Sequence, residues 1–181
     1  VNDRQRGPSD IVVLCTGNAA RSVMAGYMLA HLAEVARIDL HVTTRGTHTI
    51  DGQPMGIRTR NALDGLGVLG ELAVSKHRSR QLAPADLDRA DLVVAMEADH
   101  VRFVRRRHPD AAGRTATIRR LCRDLPPGPG PLATRVARLD LGGVVLDGDE
   151  DVTDPAGLDE EAYAACAAEL WELCQALVPR L

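Results

Sequence analysis

Cys15 and Arg21 stand six residues apart in Cys15-Thr-Gly-Asn-Ala-Ala-Arg21-Ser22, directly after the apolar run Ile11-Val-Val-Leu14. A cysteine and an arginine at that spacing can both face the centre of one tight loop, whose intervening N–H groups converge as an anion nest. A helix opening at Ser22 would add its positive N-terminal end. Such a nest takes a tetrahedral oxyanion, and its positive potential favours the thiolate, the attacking form of cysteine. Arg21 can clamp two oxygens in bidentate fashion. Gly17 and Asn18 suit the positive φ angles that the loop demands. The same spacing recurs at Cys174 and Arg180, but there Gln-Ala-Leu-Val-Pro intervenes, without glycine and largely within an expected helix. That pair is set aside.

The loop needs a strand before it and a helix after it. Ile11–Cys15 reads as a buried strand. From Ser22 onward, Met24, Tyr27, Met28, Leu29, Leu32 and Val35 recur at helical spacing. Strand, tight loop and helix open a right-handed βαβ unit. Further strands are expected at His41–Thr44, Leu92–Met96 and Thr115–Ile118. Helices are expected at Arg58–Leu66, ending at Gly67, in a turn at Asp86–Ala90, and after Met96, where Val101, Phe103 and Val104 face inward. A long amphipathic helix is expected over Asp159–Val178, with Leu170, Leu173 and Leu177 on one face. The alternation predicts an α/β fold: a three-layer sandwich with a four-stranded parallel sheet and the phosphate loop after the first strand. Asp124–Pro131 is too rich in proline to be other than a loop, Asp147–Asp154 is an acidic loop, and 124–152 reads as an insertion. A flexible tail over 1–9 precedes a single domain over 10–181.

Composition removes several classes of function. The 181 residues, 45% of them hydrophobic, can bury a core of one ordinary domain. No apolar stretch is long enough to span a membrane. A net charge of −3 argues against a nucleic-acid binder, and 2% aromatic residues (Tyr27, Phe103, Tyr163 and Trp171) cannot build a stacking platform. The basic side chains are nearly all arginine, with Lys76 the sole lysine; Arg105-Arg-Arg107 reads as an exposed, solvated helix face. Four cysteines without a C-x-x-C pair suggest neither a disulfide scaffold nor a zinc site. Cys122, Cys166 and Cys174 read as packing residues. A polar N-terminus and unpaired thiols point to the cytoplasm, and no motif sets an oligomeric state.

Val13-Leu-Cys-Thr-Gly-Asn-Ala-Ala-Arg-Ser22 resembles the phosphate loop of the low-molecular-weight protein tyrosine phosphatases. The resemblance runs along nearly the whole chain. Thr44-Arg-Gly-Thr-His48 and Gly52-Gln-Pro-Met55 resemble that family's second-strand exit and substrate-side loop, and His77-x-Ser-Arg-Gln81 its histidine turn. Leu92–Met96 resembles its third core strand, and Asp154-Pro155 stands where the family keeps its general acid. The resemblance implies Cys15 as nucleophile, Arg21 as phosphoryl clamp and Asp154 as acid and base. It also implies Thr16, Gly17, Asn18, Ala19 and Ala20 as the cradle, and Ser22 as hydrogen-bond donor to the sulfur. Asn18 would hold the loop in shape, supported by Thr44 and His77. No metal or other cofactor is implied, and the partner would be a phosphorylated protein or a small phosphomonoester.

The chain departs from the family pattern at defined points. Ala20 replaces a second loop cysteine that could trap an oxidised nucleophile, and Val23 replaces a proline at the helix start. Where eukaryotic members flank the phosphotyrosine ring with aromatics, this chain offers Thr49 or Ile50 and Ala156. A protein tyrosine phosphatase is the leading expectation, with protein arginine phosphatase beside it. Arsenate reduction would need two more cysteines roughly 70–80 residues after the nucleophile, and Ser75–Pro109 contains none. A non-catalytic phosphate binder would be expected to lack Cys15, Arg21 or Asp154.

Overall fold

Apolar, β-branched runs form the centre of the sheet. In the computed structural model, which describes residues 7–67 and 76–181, β1 (Ser9–Cys15) lies between β2 (Leu40–Gly46) and β3 (Leu92–Ala95), and β4 (Thr115–Thr117) closes the edge. All three pairings are parallel. Because side chains alternate along a strand, Ile11, Val13 and Cys15 enter one core while Val12 and Leu14 enter another. The first core packs under α1 (Arg21–Ala36), α2 (Ile57–Gly65), α5 (Ile118–Asp124) and α7 (Glu160–Leu177). The second packs under α3 (Pro84–Leu87) and α4 (Ala98–Arg107). Two cores flanking one parallel sheet make the expected three layers.

Of the expected tail, residues 1–6 lie outside the described range, and Ser9 already pairs with Leu40. Expected and observed elements agree to within a residue or two, save that the turn expected at Asp86–Ala90 forms as α3 over Pro84–Leu87. Two helices were not anticipated: α5 and α6 (Leu132–Ala137). A Thr117 N-cap, whose side chain accepts the Arg120 N–H, starts α5. The 124–152 segment is stitched to the scaffold by arginines. Arg105 donates to the carbonyls of Leu141 and Val144, Arg120 to that of Val145, and Arg135 to those of Pro126, Arg180 and Leu181.

The strand order β2-β1-β3-β4 reverses direction between β1 and β3. Chains leaving the carboxyl ends of these two strands diverge to opposite faces and leave a crevice between them. The Cys15 loop leaves β1 there, and Met96-Glu97 leaves β3.

Candidate active site

Six consecutive carbonyls of the 15–20 loop are bonded outward. Cys15 O accepts the Thr47 N–H and Thr16 O the His48 N–H, both at 2.9 Å. Gly17 O accepts the Thr49 hydroxyl at 2.6 Å, Asn18 O faces His77 Nε2 at 2.9 Å, and Ala19 O accepts the Thr59 hydroxyl at 3.0 Å. Ala20 O accepts the Met24 N–H at 2.8 Å, the first turn of α1. The peptide unit is planar and trans, so each carbonyl turned out turns the next N–H inward. The anion nest expected at this loop thus follows from where its carbonyls go. Only Asn18 needs a left-handed conformation, with φ 48°; the expectation of a positive φ at Gly17 is not met, because its carbonyl is reached by Thr49 without that twist.

Asn18 is locked from both ends of its amide. Its Oδ1 accepts the Arg80 N–H at 2.9 Å, which leaves Nδ2 to donate to Ser22 Oγ at 3.0 Å. Ser22 Oγ, already accepting there, is free to direct its own hydrogen at Cys15 Sγ, 3.0 Å away. Burial, and secondarily the Arg78 charge, lower the His77 pKa. A neutral His77 holds Asn18 O through its Nε2–H. The expected support from Thr44 is a correction: among the described residues no hydrogen bond joins it to Asn18. Its Cγ2 lies 2.4 Å from where a Cβ on Gly26 would fall. Thr44 is the surface against which α1 closes on β2.

Arg21 is 1% exposed. Nη1 donates to Glu97 Oε2 at 2.7 Å and to Val152 O at 3.0 Å, while Nη2 donates to Asp154 Oδ2 at 2.5 Å and reaches Thr16 Oγ1 at 3.5 Å. Burial opposes its charge, but the Glu97 hydrogen bond and the charges of Asp154, Glu97 and Cys15 outweigh it, and the pKa rises. The Asp154 carboxylate is aimed by the Ala156 N–H, which meets Oδ1 at 3.1 Å. Ala156 therefore bears on the acid through its backbone. Thr49, expected at the substrate side, uses its hydroxyl to brace Gly17, whereas Ile50 is 75% exposed at the rim. Ala19 is exposed within the loop, and Ala20 is buried.

Two side chains at this site had not been anticipated. Glu97 shares Arg21 with Asp154, and His100, 2% exposed, places Nε2 at 3.0 Å from Thr16 Oγ1 and 3.2 Å from Glu97 Oε1. Burial first, then the Arg21 charge, drive the His100 pKa down to about 3, so the ring is neutral. The signal for both was positional: they follow a buried strand whose carboxyl end adjoins that of β1. The other three thiols lie outside this loop. Burial, and next the Glu169 charge, push Cys166 up to about 12; burial also raises Cys122 and Cys174. They stay protonated.

A nest of N–H groups, a thiol against a hydroxyl, a guanidinium and a carboxylate at the mouth are the parts required for phosphoryl transfer through a cysteine. The sequence pattern of low molecular weight phosphotyrosine protein phosphatases matches residues 10–125. The protein-arginine-phosphatase of Geobacillus stearothermophilus is 26% identical over 174 residues, covering 96% of this chain and 97% of that protein. A probable low molecular weight protein-tyrosine-phosphatase, EpsP of Ralstonia solanacearum, is 29% identical over 57% of this chain and 66% of its own length. Among solved structures, the low molecular weight protein tyrosine phosphatase from T. tengcongensis superposes with a TM-score of 0.76 at 27% identity, covering 96% of this chain and 99% of that one. The G. stearothermophilus arginine phosphatase superposes with a TM-score of 0.70 at 27% identity, covering 94% and 91%.

Proposed function

The chain belongs to the low molecular weight phosphotyrosine protein phosphatase family, and from that membership we propose that it hydrolyses phosphotyrosine on proteins with Cys15 as nucleophile, Arg21 as phosphoryl clamp and Asp154 as acid and base. The observation that carries this reading is the outward bonding of six successive loop carbonyls around a thiol that touches Ser22. An arriving phosphoryl group exchanges with Asp154 at Arg21 Nη2, while Nη1 stays on Glu97 and Val152 O. That exchange frees the carboxylate, which takes up the proton that the Cys15 thiol gives up on ionising and delivers it to the leaving oxygen. The thiolate attacks phosphorus in line, the P–O bond to the leaving group breaks, and a cysteinyl-phosphate forms. The nest and Arg21 stabilise charge on the equatorial oxygens. Asp154, now a carboxylate, takes a proton from water, which attacks phosphorus. The P–S bond breaks toward a sulfur stabilised by the Ser22 hydroxyl, and inorganic phosphate leaves.

A second reading, phosphoarginine as substrate, is favoured by the mouth. Ile50 and Ala156 offer no ring face to grip a phenyl group, and the G. stearothermophilus relative named as an arginine phosphatase is matched along nearly its whole length. A cytoplasmic, reducing location goes with either substrate, since Ala20 leaves Cys15 without a second thiol in its own loop to trap an oxidised sulfur. Metal-free phosphate release from an aryl phosphate near pH 6 tests the chemistry. Release should vanish in Cys15→Ser while inorganic phosphate still binds; an active Cys15→Ser enzyme would refute the mechanism. The kcat/KM values on matched phosphotyrosyl and phosphoarginyl peptides then decide the substrate.

A further inference from the structure

The Arg105-Arg-Arg107 run does not behave as one solvated face. Arg105 is pinned, its Nη2 donating to Leu141 O and Val144 O at 2.8 Å each. Arg107 remains exposed, makes no ion pair among the described residues, and lines a cleft of about 720 Å³ with His48, Thr49, Ile50, Phe103 and His108. Rings form one wall: Phe103 meets His48 edge-on at 5.4 Å and His108 at 6.1 Å. The same cleft borders the frame of the phosphate loop, since the His48 N–H holds Thr16 O and the Thr49 hydroxyl holds Gly17 O. No carboxylate lines the cleft. Asp51, next along from Ile50, has Oδ1 committed to the Gln81 N–H at 2.6 Å.

Resting on the phosphatase reading above, we propose that this cleft docks an acidic segment of the phosphoprotein substrate, with Arg107 pairing a carboxylate of that segment. The charge complement is a cleft whose lining holds an unpaired guanidinium and no acid. The span is also suitable. His100 touches Thr16, and Arg107 lies seven residues farther along α4, about 10 Å at 1.5 Å per residue. An extended peptide covers that in about three or four residues. The carboxylate it reads therefore lies three or four positions from the phosphorylated residue.

The test compares two phosphopeptides that carry whichever phospho-residue the enzyme prefers and differ only in Glu or Gln at the third and fourth flanking positions. The Glu peptide should show about five-fold higher kcat/KM, carried by KM, the modest size expected of an exposed pair. Raising the salt to 0.5 M should shrink that ratio. Arg107→Glu should bring it to one or below, while Arg106→Glu, with the same change of net charge outside the cleft lining, should keep it. Equal use of the two peptides by the wild type, equal loss in both variants, or turnover of neither peptide would overturn the docking proposal. Failure of the wild type to hydrolyse an aryl phosphate would instead overturn the phosphatase reading on which it rests.

Discussion

Asp151 and Asp154, three positions apart on one loop, have different partners. Asp151 Oδ1 accepts the Ala98 N–H at 2.7 Å and so holds the first turn of α4, while Asp154 reaches Arg21 at the mouth of the nest. Asp154→Ala should cut kcat by about 10²–10⁴-fold on alkyl phosphates and far less on p-nitrophenyl phosphate, whose leaving group needs little protonation. Asp151→Ala should cost about 1 kcal/mol of stability, as loss of a cap does, with the leaving-group dependence intact. A leaving-group series run on both variants separates the two roles. His100 sets an acid limit on stability. Its pKa is near 3 folded and about 6.5 unfolded. Between those values the unfolded chain binds more protons, so stability is fully present above pH ~6.5 and falls as the pH drops toward 3. Urea unfolding from pH 4 to 7 should show that slope in the wild type and a flatter one in His100→Asn.

At the scale of elements, the phosphate loop is shaped by the segment that follows β2. Gly46, the last residue of β2, leads into that segment: a Cβ there would sit 2.7 Å from Thr16 O and 3.1 Å from the Asn18 N. Both are backbone atoms of the nest and cannot rotate away. Gly46→Ala should therefore lower kcat/KM on an aryl phosphate by an order of magnitude or more, with overpacking costing about 1–3 kcal/mol. Gly26→Ala provides the contrast, since its Cβ would strike the Thr44 side chain at 2.4 Å, on the face of β2 against which α1 packs. It should destabilise comparably, and Thr44→Ala should rescue it in the double mutant, whereas no side-chain truncation should rescue Gly46→Ala. Rescue of both would mean that the loop yields more easily than its bonded carbonyls imply.

Across the whole molecule, arginine ties loops to scaffold. Its fork of donors can reach several carbonyls at once, which a lysine ammonium does less well. Arg120 and Glu150, 8% and 2% exposed, form the densest knot: Glu150 also accepts from Thr117 Oγ1 and Arg123, and Arg120 holds Val145 O. This knot anchors the chain just before Val152 and Asp154. Removing one partner of a buried pair strands the other. Glu150→Ala should cost about 3 kcal/mol, at the low end of that effect because Asp124 and Asp147 stay near Arg120. Denaturant unfolding measures it. Phosphatase activity should fall as well, because the segment carrying Val152 and Asp154 loses its anchor.

What the sequence by itself determined was local: an apolar strand, a six-residue interval from cysteine to arginine, a helix to follow, and an Asp-Pro near the far end. Strand periodicity and loop spacing are short-range properties, so the parallel sheet and the place of the nest were legible along the chain. The tertiary structure decided what bends the loop into a nest, because the donors that turn its carbonyls outward come from Thr47–Thr49, Thr59 and His77, remote in sequence and brought together only by the strand order. Thr44 was misassigned for the same reason: its neighbour across the β2–α1 contact is a glycine, which leaves no mark on the spacing of residues around Thr44. Glu97 and His100 became legible only once β3 was known to lie beside β1. A partner that arrives from an adjacent strand has no fixed interval from the residue it serves, so only the folded chain shows the pairing.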